Sequence, residues 1–108
     1  MDLASKINDA WEARSVLTTE ELTLQYGQFI NAALTVLEQG EARVSEPTAD
    51  GWQVNEWLKK AVLLYFTISE NRVMPGSTHN YWDKVPCRFD NADAAEFKQT
   101  GARVVPPA

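Results

Sequence analysis

Apolar residues recur at helical spacing in three stretches of this chain, and short extended patterns separate and follow them. Leu3, Ile7, Ala10 and Trp11 share one side of a first short helix, with Asp9 and Glu12 opposite and Asp2 or Ser5 placed to cap it. Thr18-Thr19-Glu20-Glu21 reads as a capping box. The Thr18 hydroxyl can accept from a free backbone N–H, while the Glu21 carboxylate reaches back to the N–H of the cap. Leu22, Tyr26, Phe29, Ile30, Ala33, Leu34 and Leu37 then line one face of a long helix, which Gly40 ends by supplying a left-handed residue.

After Gly40 the pattern changes. Residues 42–45 and 51–54 read as short strands around a Pro47-Thr48-Ala49-Asp50-Gly51 turn, which predicts a β-hairpin. Asn55 is a suitable cap for a third helix, with Leu58, Ala61, Val62 and Tyr65 on one face and Trp57, Leu64 and Ile68 on another. A helix apolar on two sides belongs at the centre of a core. Ser69-Glu70-Asn71-Arg72 breaks it, and Pro75-Gly76-Ser77-Thr78 is a loop ahead of the segment 81–85. Asp90 can cap a final short helix through Ala94, Ala95 and Phe97, closed by Gly101. Arg103-Val104-Val105 then reads as an extended strand, which Pro106-Pro107 stops. With no repeat, low-complexity tract or linker, residues 1–108 are predicted to form one α+β domain, mainly α.

Composition narrows the classes of function. The content is 44% hydrophobic and 23% charged, near globular averages, and argues against wholesale disorder. A net charge of -5 argues against a groove for nucleic-acid phosphates, and Lys59-Lys60 is the only adjacent basic pair. Cys87 is the only cysteine, so no internal disulfide can form and a reducing, cytoplasmic compartment is the expectation. The longest apolar run, residues 61–66, is far short of the roughly 20 residues needed to span a bilayer. The start of the chain lacks the pattern of a secretory signal.

Few residues carry chemistry by type and spacing. His79 could act as a general base, but no nucleophile or orienting carboxylate adjoins it, and an exposed loop histidine is the commoner case. Cys87 would need a basic neighbour to become a nucleophile, and a buried inert cysteine is more frequent. No Gly-rich phosphate loop occurs, and the histidine and cysteine are too few for a zinc site. Asp90, Asp93 and Glu96 recur at every third position and could line one helical face, but capping and favourable dipole placement at a helix start are the favoured reading. Trp52, Trp57, Trp82, Tyr81 and Phe66 could stack a flat ligand, but such aromatics more often fill a core or a subunit interface. Lys59 and Lys60 could clamp an anion, but on an otherwise apolar helix a solvated stripe, or stems that snorkel over the core, is the favoured reading. Arg103 follows a Gly-terminated helix, so a fixed backbone can present its planar fork to a carboxylate. By spacing alone, an ordinary surface or ion-pairing arginine is the favoured reading.

Three strings, in order, add a further indication: Gly51-Trp52-Gln53-Val54-Asn55-Glu56-Trp57-Leu58-Lys59-Lys60-Ala61-Val62-Leu63-Leu64, then Tyr81-Trp82-Asp83-Lys84-Val85-Pro86, then Gly101-Ala102-Arg103-Val104-Val105-Pro106-Pro107-Ala108. They resemble the N-terminal region of tetrahydrodipicolinate N-succinyltransferase, an acyltransferase of lysine and diaminopimelate biosynthesis. The resemblance implies a small helical domain whose final strand leads into a left-handed parallel β-helix, none of which lies within these residues. It implies that succinyl-CoA is the co-substrate of the whole enzyme, that this domain holds no cofactor, metal or catalytic residue, and that the full-length family is homotrimeric. Arg103 falls on the arginine of the family's Arg-Val-Val-Pro-Pro segment, which is associated with binding the dicarboxylate acceptor. Ala102 stands where a larger residue commonly precedes that arginine, and the stretches Met74-Pro75-Gly76 and Val85-Pro86-Cys87 also depart from the pattern. Two alternatives stay open: a free-standing binding or assembly module, and a domain of a paralogous acyltransferase acting on a related acceptor.

Overall fold

The computed structural model describes residues 2–108, which hold four helices and two two-stranded antiparallel sheets. The chain separates into two compact units, one ending at Glu70 and the other running Asn71–Ala108.

The first unit is built on three helices. α1 (Leu3–Ala13) starts at Asp2, whose Oδ1 accepts from the Ala4 N–H at 3.4 Å. α2 (Thr19–Glu38) starts at Thr18 with both arms of the capping box made: the Glu21 N–H donates to Thr18 Oγ1 at 3.1 Å, and the Thr18 N–H donates to Glu21 Oε1 at 3.0 Å. Its far end closes with the Gly40 N–H on the Leu37 carbonyl and the Glu41 N–H on the Val36 carbonyl, with Gly40 at φ 72. That pair of bonds satisfies carbonyls the helix would otherwise leave free. α3 (Glu56–Ile68) packs against both α1 and α2, which also pack against each other. The core they enclose is Ile7 and Ala10 from α1, Leu22, Ile30 and Ala33 from α2, and Leu58, Ala61 and Leu64 from α3. Leu3, Trp11, Tyr26, Phe29, Trp57 and Tyr65 pack around its margin. The helical spacing of the sequence is therefore the spacing of the core.

The capping box has a measurable pH signature. The Thr18 backbone N–H, and then its hydroxyl, hold the Glu21 carboxyl below its ordinary value of 4.5. A carboxylate depressed in the folded state stabilises above its unfolded pKa, and that contribution is lost as pH falls through the folded value. The Thr18 amide resonance should therefore move as pH is lowered below 4.5, and the movement should vanish in Glu21→Gln. Thr18→Ala should lower the stability of α2 by about 1 kcal/mol in urea denaturation.

Between α2 and α3 lies a hairpin, β1 (Ser45–Thr48) and β2 (Gly51–Val54), with Ser45 opposite Val54 and Thr48 opposite Gly51. This corrects the strand expected at 42–45: pairing begins at Ser45 and includes Pro47 opposite Trp52. A two-stranded ribbon is all edge, and a proline whose missing N–H faces away from the partner costs no ladder bond. Residues 43 and 44 are engaged differently, by the start of α3. The Asn55 N–H donates to the Val44 carbonyl at 2.7 Å, and Asn55 Nδ2 donates to the Arg43 carbonyl and to Glu46 Oε2, each at 2.6 Å. Asn55 does occupy the cap position, but its side chain makes no cap hydrogen bond. It ties the hairpin to the helix instead.

The second unit holds β3 (Arg72–Met74) paired antiparallel to β4 (Tyr81–Asp83), followed by α4 (Ala94–Thr100). β3 falls where the sequence shows only a helix break. Three residues are too few to display a period, so the strand is defined by its partner. The segment expected as a strand at 103–105 has no ladder partner, and a turn follows it at Pro106-Pro107, with the Ala108 N–H on the Val105 carbonyl at 2.9 Å.

Candidate functional site

Arg103 is presented by α4. The cap of this helix is Asp93, whose Oδ1 accepts from the Glu96 N–H at 2.9 Å, not Asp90. Asp90 lies in the preceding turns, its N–H on the Cys87 carbonyl at 3.2 Å, with Asn91 at φ 62 immediately after it. The three acidic residues therefore do not share one helical face: Asp90 precedes the helix, Asp93 caps it and Glu96 occupies its first turn. Phe97 of α4 stacks on Phe89, ring centroids 5.3 Å apart, which fixes the short helix against the turns ahead of it.

At the other end Gly101 adopts φ 70, and its N–H reaches the Phe97 carbonyl at 3.0 Å. A side chain at this left-handed position would be strained, so glycine is what allows the sharp exit. Thr100 Oγ1 donates to the Phe97 carbonyl at 3.1 Å and accepts from the Ala102 N–H at 3.2 Å. The backbone is thus pinned up to the residue before Arg103. Arg103 itself is exposed, and among the described residues no hydrogen bond or ion pair engages its guanidinium. A permanently charged planar fork on a pinned backbone can take a carboxylate through two parallel hydrogen bonds.

The other candidates lie elsewhere. His79 is exposed in the β3–β4 loop, with the Thr78 hydroxyl 3.0 Å from Nδ1 and the Tyr81 ring edge-on at 4.7 Å. Gly76 faces the same group closely: a Cβ there would collide with the His79 carbonyl oxygen and come within 2.7 Å of the Tyr81 ring. Gly76→Ala should therefore cost about 1–3 kcal/mol of local stability, seen as faster hydrogen exchange in β4. Cys87 is exposed, which corrects the expectation of a buried thiol. The turns around it give it no apolar enclosure.

The aromatic set does not assemble into one core. Trp57 packs at the margin of the helical core, but Trp52 and Trp82 are 72% and 68% exposed. Each of these two lies on a two-stranded ribbon, where one face has no second layer to cover it. Lys59 is exposed on α3, and Lys60 Nζ donates to Asn8 Oδ1 of α1 at 3.1 Å, so the pair forms no joint clamp. Among the described residues no group of three or more His, Cys, Asp and Glu is placed to hold a metal, and no helix is long and apolar enough to cross a membrane.

Residues 2–68 match the family model described as tetrahydrodipicolinate N-succinyltransferase N-terminal, and the chain belongs to that family. Proteins with the name 2,3,4,5-tetrahydropyridine-2,6-dicarboxylate N-succinyltransferase are similar over nearly the whole chain. That of Methylococcus capsulatus is 44% identical over 108 residues, covering 100% of this chain and 40% of its own length. That of Proteus mirabilis is 45% identical over 106 residues, covering 98% and 39%. That of Xylella fastidiosa is 45% identical over 107 residues, with the same coverage of 98% and 39%. The chain thus spans about two fifths of the length of these relatives, and Arg103 lies beyond the stretch that the family model matches.

Proposed function

We propose that this chain is the acceptor-side domain of a tetrahydrodipicolinate N-succinyltransferase, which transfers a succinyl group from succinyl-CoA to the amine of a dicarboxylate in lysine and diaminopimelate biosynthesis. The observation that carries this reading is 44% identity to a protein of that name across all 108 residues. Arg103 binds one carboxylate of the acceptor and orients the amine, while the chemical step is carried out by residues outside this chain. Binding of that kind contributes proximity and orientation and moves no proton. The pinned exit of α4 at Gly101 and the unengaged guanidinium support the assignment. Alone the domain does not turn over, and the whole enzyme works as a cytoplasmic homotrimer.

The reading is tested with a chimera in which these residues replace the matching region of the Methylococcus capsulatus protein. Titrating it with a cyclic dicarboxylate analogue should give saturable binding that Arg103→Ala weakens while leaving coenzyme A binding unchanged. Equal loss of both ligands would assign Arg103 a structural role.

A further inference from the structure

The chain reaches Arg103 by way of a glycine. Gly101, at φ 70 and ψ 7, lets the backbone leave α4 sharply. A residue without a side chain also turns more freely than any other, so this joint alone would leave the direction of the following residues loose. One side chain spans it. The Thr100 hydroxyl donates to the Phe97 carbonyl at 3.1 Å and accepts from the Ala102 N–H at 3.2 Å, so it bonds on both sides of Gly101. Among the described residues no other hydrogen bond reaches residues 102–104.

The anchor of this bridge is itself held. The Phe97 carbonyl takes the Gly101 N–H as well as the Thr100 hydroxyl, and the Phe97 ring stacks on Phe89 at 5.3 Å. A continuous line of contacts therefore runs from the turns ahead of α4, through Phe97 and Thr100, to the residue before Arg103. The bridge needs a donor and an acceptor on one atom, which a hydroxyl has and a methyl lacks.

We infer that Thr100 is a positioning residue for the acceptor site: its hydroxyl closes the Gly101 joint and fixes the backbone from which Arg103 extends toward an acceptor carboxylate. Thr100 itself touches no substrate. The inference rests on the acceptor role proposed for Arg103 and names what aims that arginine. A charged fork on a fixed backbone loses less freedom on binding than one the ligand must order.

The test is a double-substitution cycle in the chimeric enzyme, with the dissociation constant of pyridine-2,6-dicarboxylate as the readout. Thr100→Val keeps the shape and removes the hydroxyl, whereas Thr100→Ser keeps the hydroxyl. Thr100→Val should weaken binding of this probe about two- to tenfold, as expected for the loss of one hydrogen bond, and leave coenzyme A binding unchanged. Thr100→Ser should recover most of the loss. In an Arg103→Ala background Thr100→Val should have no further effect, because no guanidinium is left to aim. In the 108-residue chain, Thr100→Val should also speed hydrogen exchange at the Ala102 amide, with circular dichroism unchanged. If Arg103→Ala weakens the probe but Thr100→Val does not, or if the Thr100→Val loss persists in the Arg103→Ala background, the positioning role is overturned and the proposed function stands. If Arg103→Ala leaves the probe bound as before, the acceptor role of Arg103 falls and this inference falls with it.

Discussion

Leu58→Ala is expected to destabilise the helical unit by about 2–5 kcal/mol, measured by urea denaturation followed by circular dichroism. Leu58 is fully buried where α3 meets the other two helices, and its neighbours Ile7, Ile30 and Leu64 are equally enclosed. Truncation removes the transfer energy of the lost carbons and leaves a cavity that three mutually packed helices cannot readily close. A small domain has roughly 5–15 kcal/mol in total, so the loss is a large fraction of its stability. Leu24→Ala is the control. Leu24 lies on α2 but is 85% exposed, so its truncation should change stability by no more than about 0.5 kcal/mol. Equal effects at the two positions would mean that the helices do not pack as described.

Arg103→Ala in the chimeric enzyme is expected to lower kcat/KM for the dicarboxylate acceptor by about 10- to 100-fold, the value of one charge-assisted contact. KM for succinyl-CoA should not change, because the arginine is assigned to the acceptor alone. Arg103→Lys should recover only part of the loss, since an ammonium keeps the charge but not the planar fork. A purely structural arginine would behave differently: alanine would lower thermal stability, lysine would largely restore activity, and both substrates would be affected together.

Much of this fold is legible in the sequence because it is set locally. The α2 cap needs only Thr18 and Glu21, and its end needs only Gly40, so reading four adjacent residues suffices at either terminus. The core positions of the first three helices follow from spacing alone. What was not legible depends on distant partners. The first strand begins at Ser45 and not Ala42 because Asn55, from beyond the hairpin, takes the carbonyls of Arg43 and Val44. Asp90 and Asp93 are both reasonable caps by type. The turns at residues 87–92, with Asn91 at φ 62, place the helix start after the second. The exposure of Trp52 and Trp82 reflects ribbons of only two strands, which residue type does not reveal. The candidate site is less legible still. Its arginine is unremarkable by spacing, and family resemblance singles it out, while the structure adds the pinned backbone that precedes it.

The most direct test of the central claim is an acyltransfer assay that follows thiol release from succinyl-CoA in the presence of a dicarboxylate amine acceptor. It is run on the 108-residue chain and on the chimera with the Methylococcus capsulatus protein. Activity in the chimera and none in the chain is the result that the proposed function predicts, in which the chain supplies acceptor binding and the rest of the protein supplies the chemistry. Turnover by the chain alone, or a folded chimera without activity, would contradict the account.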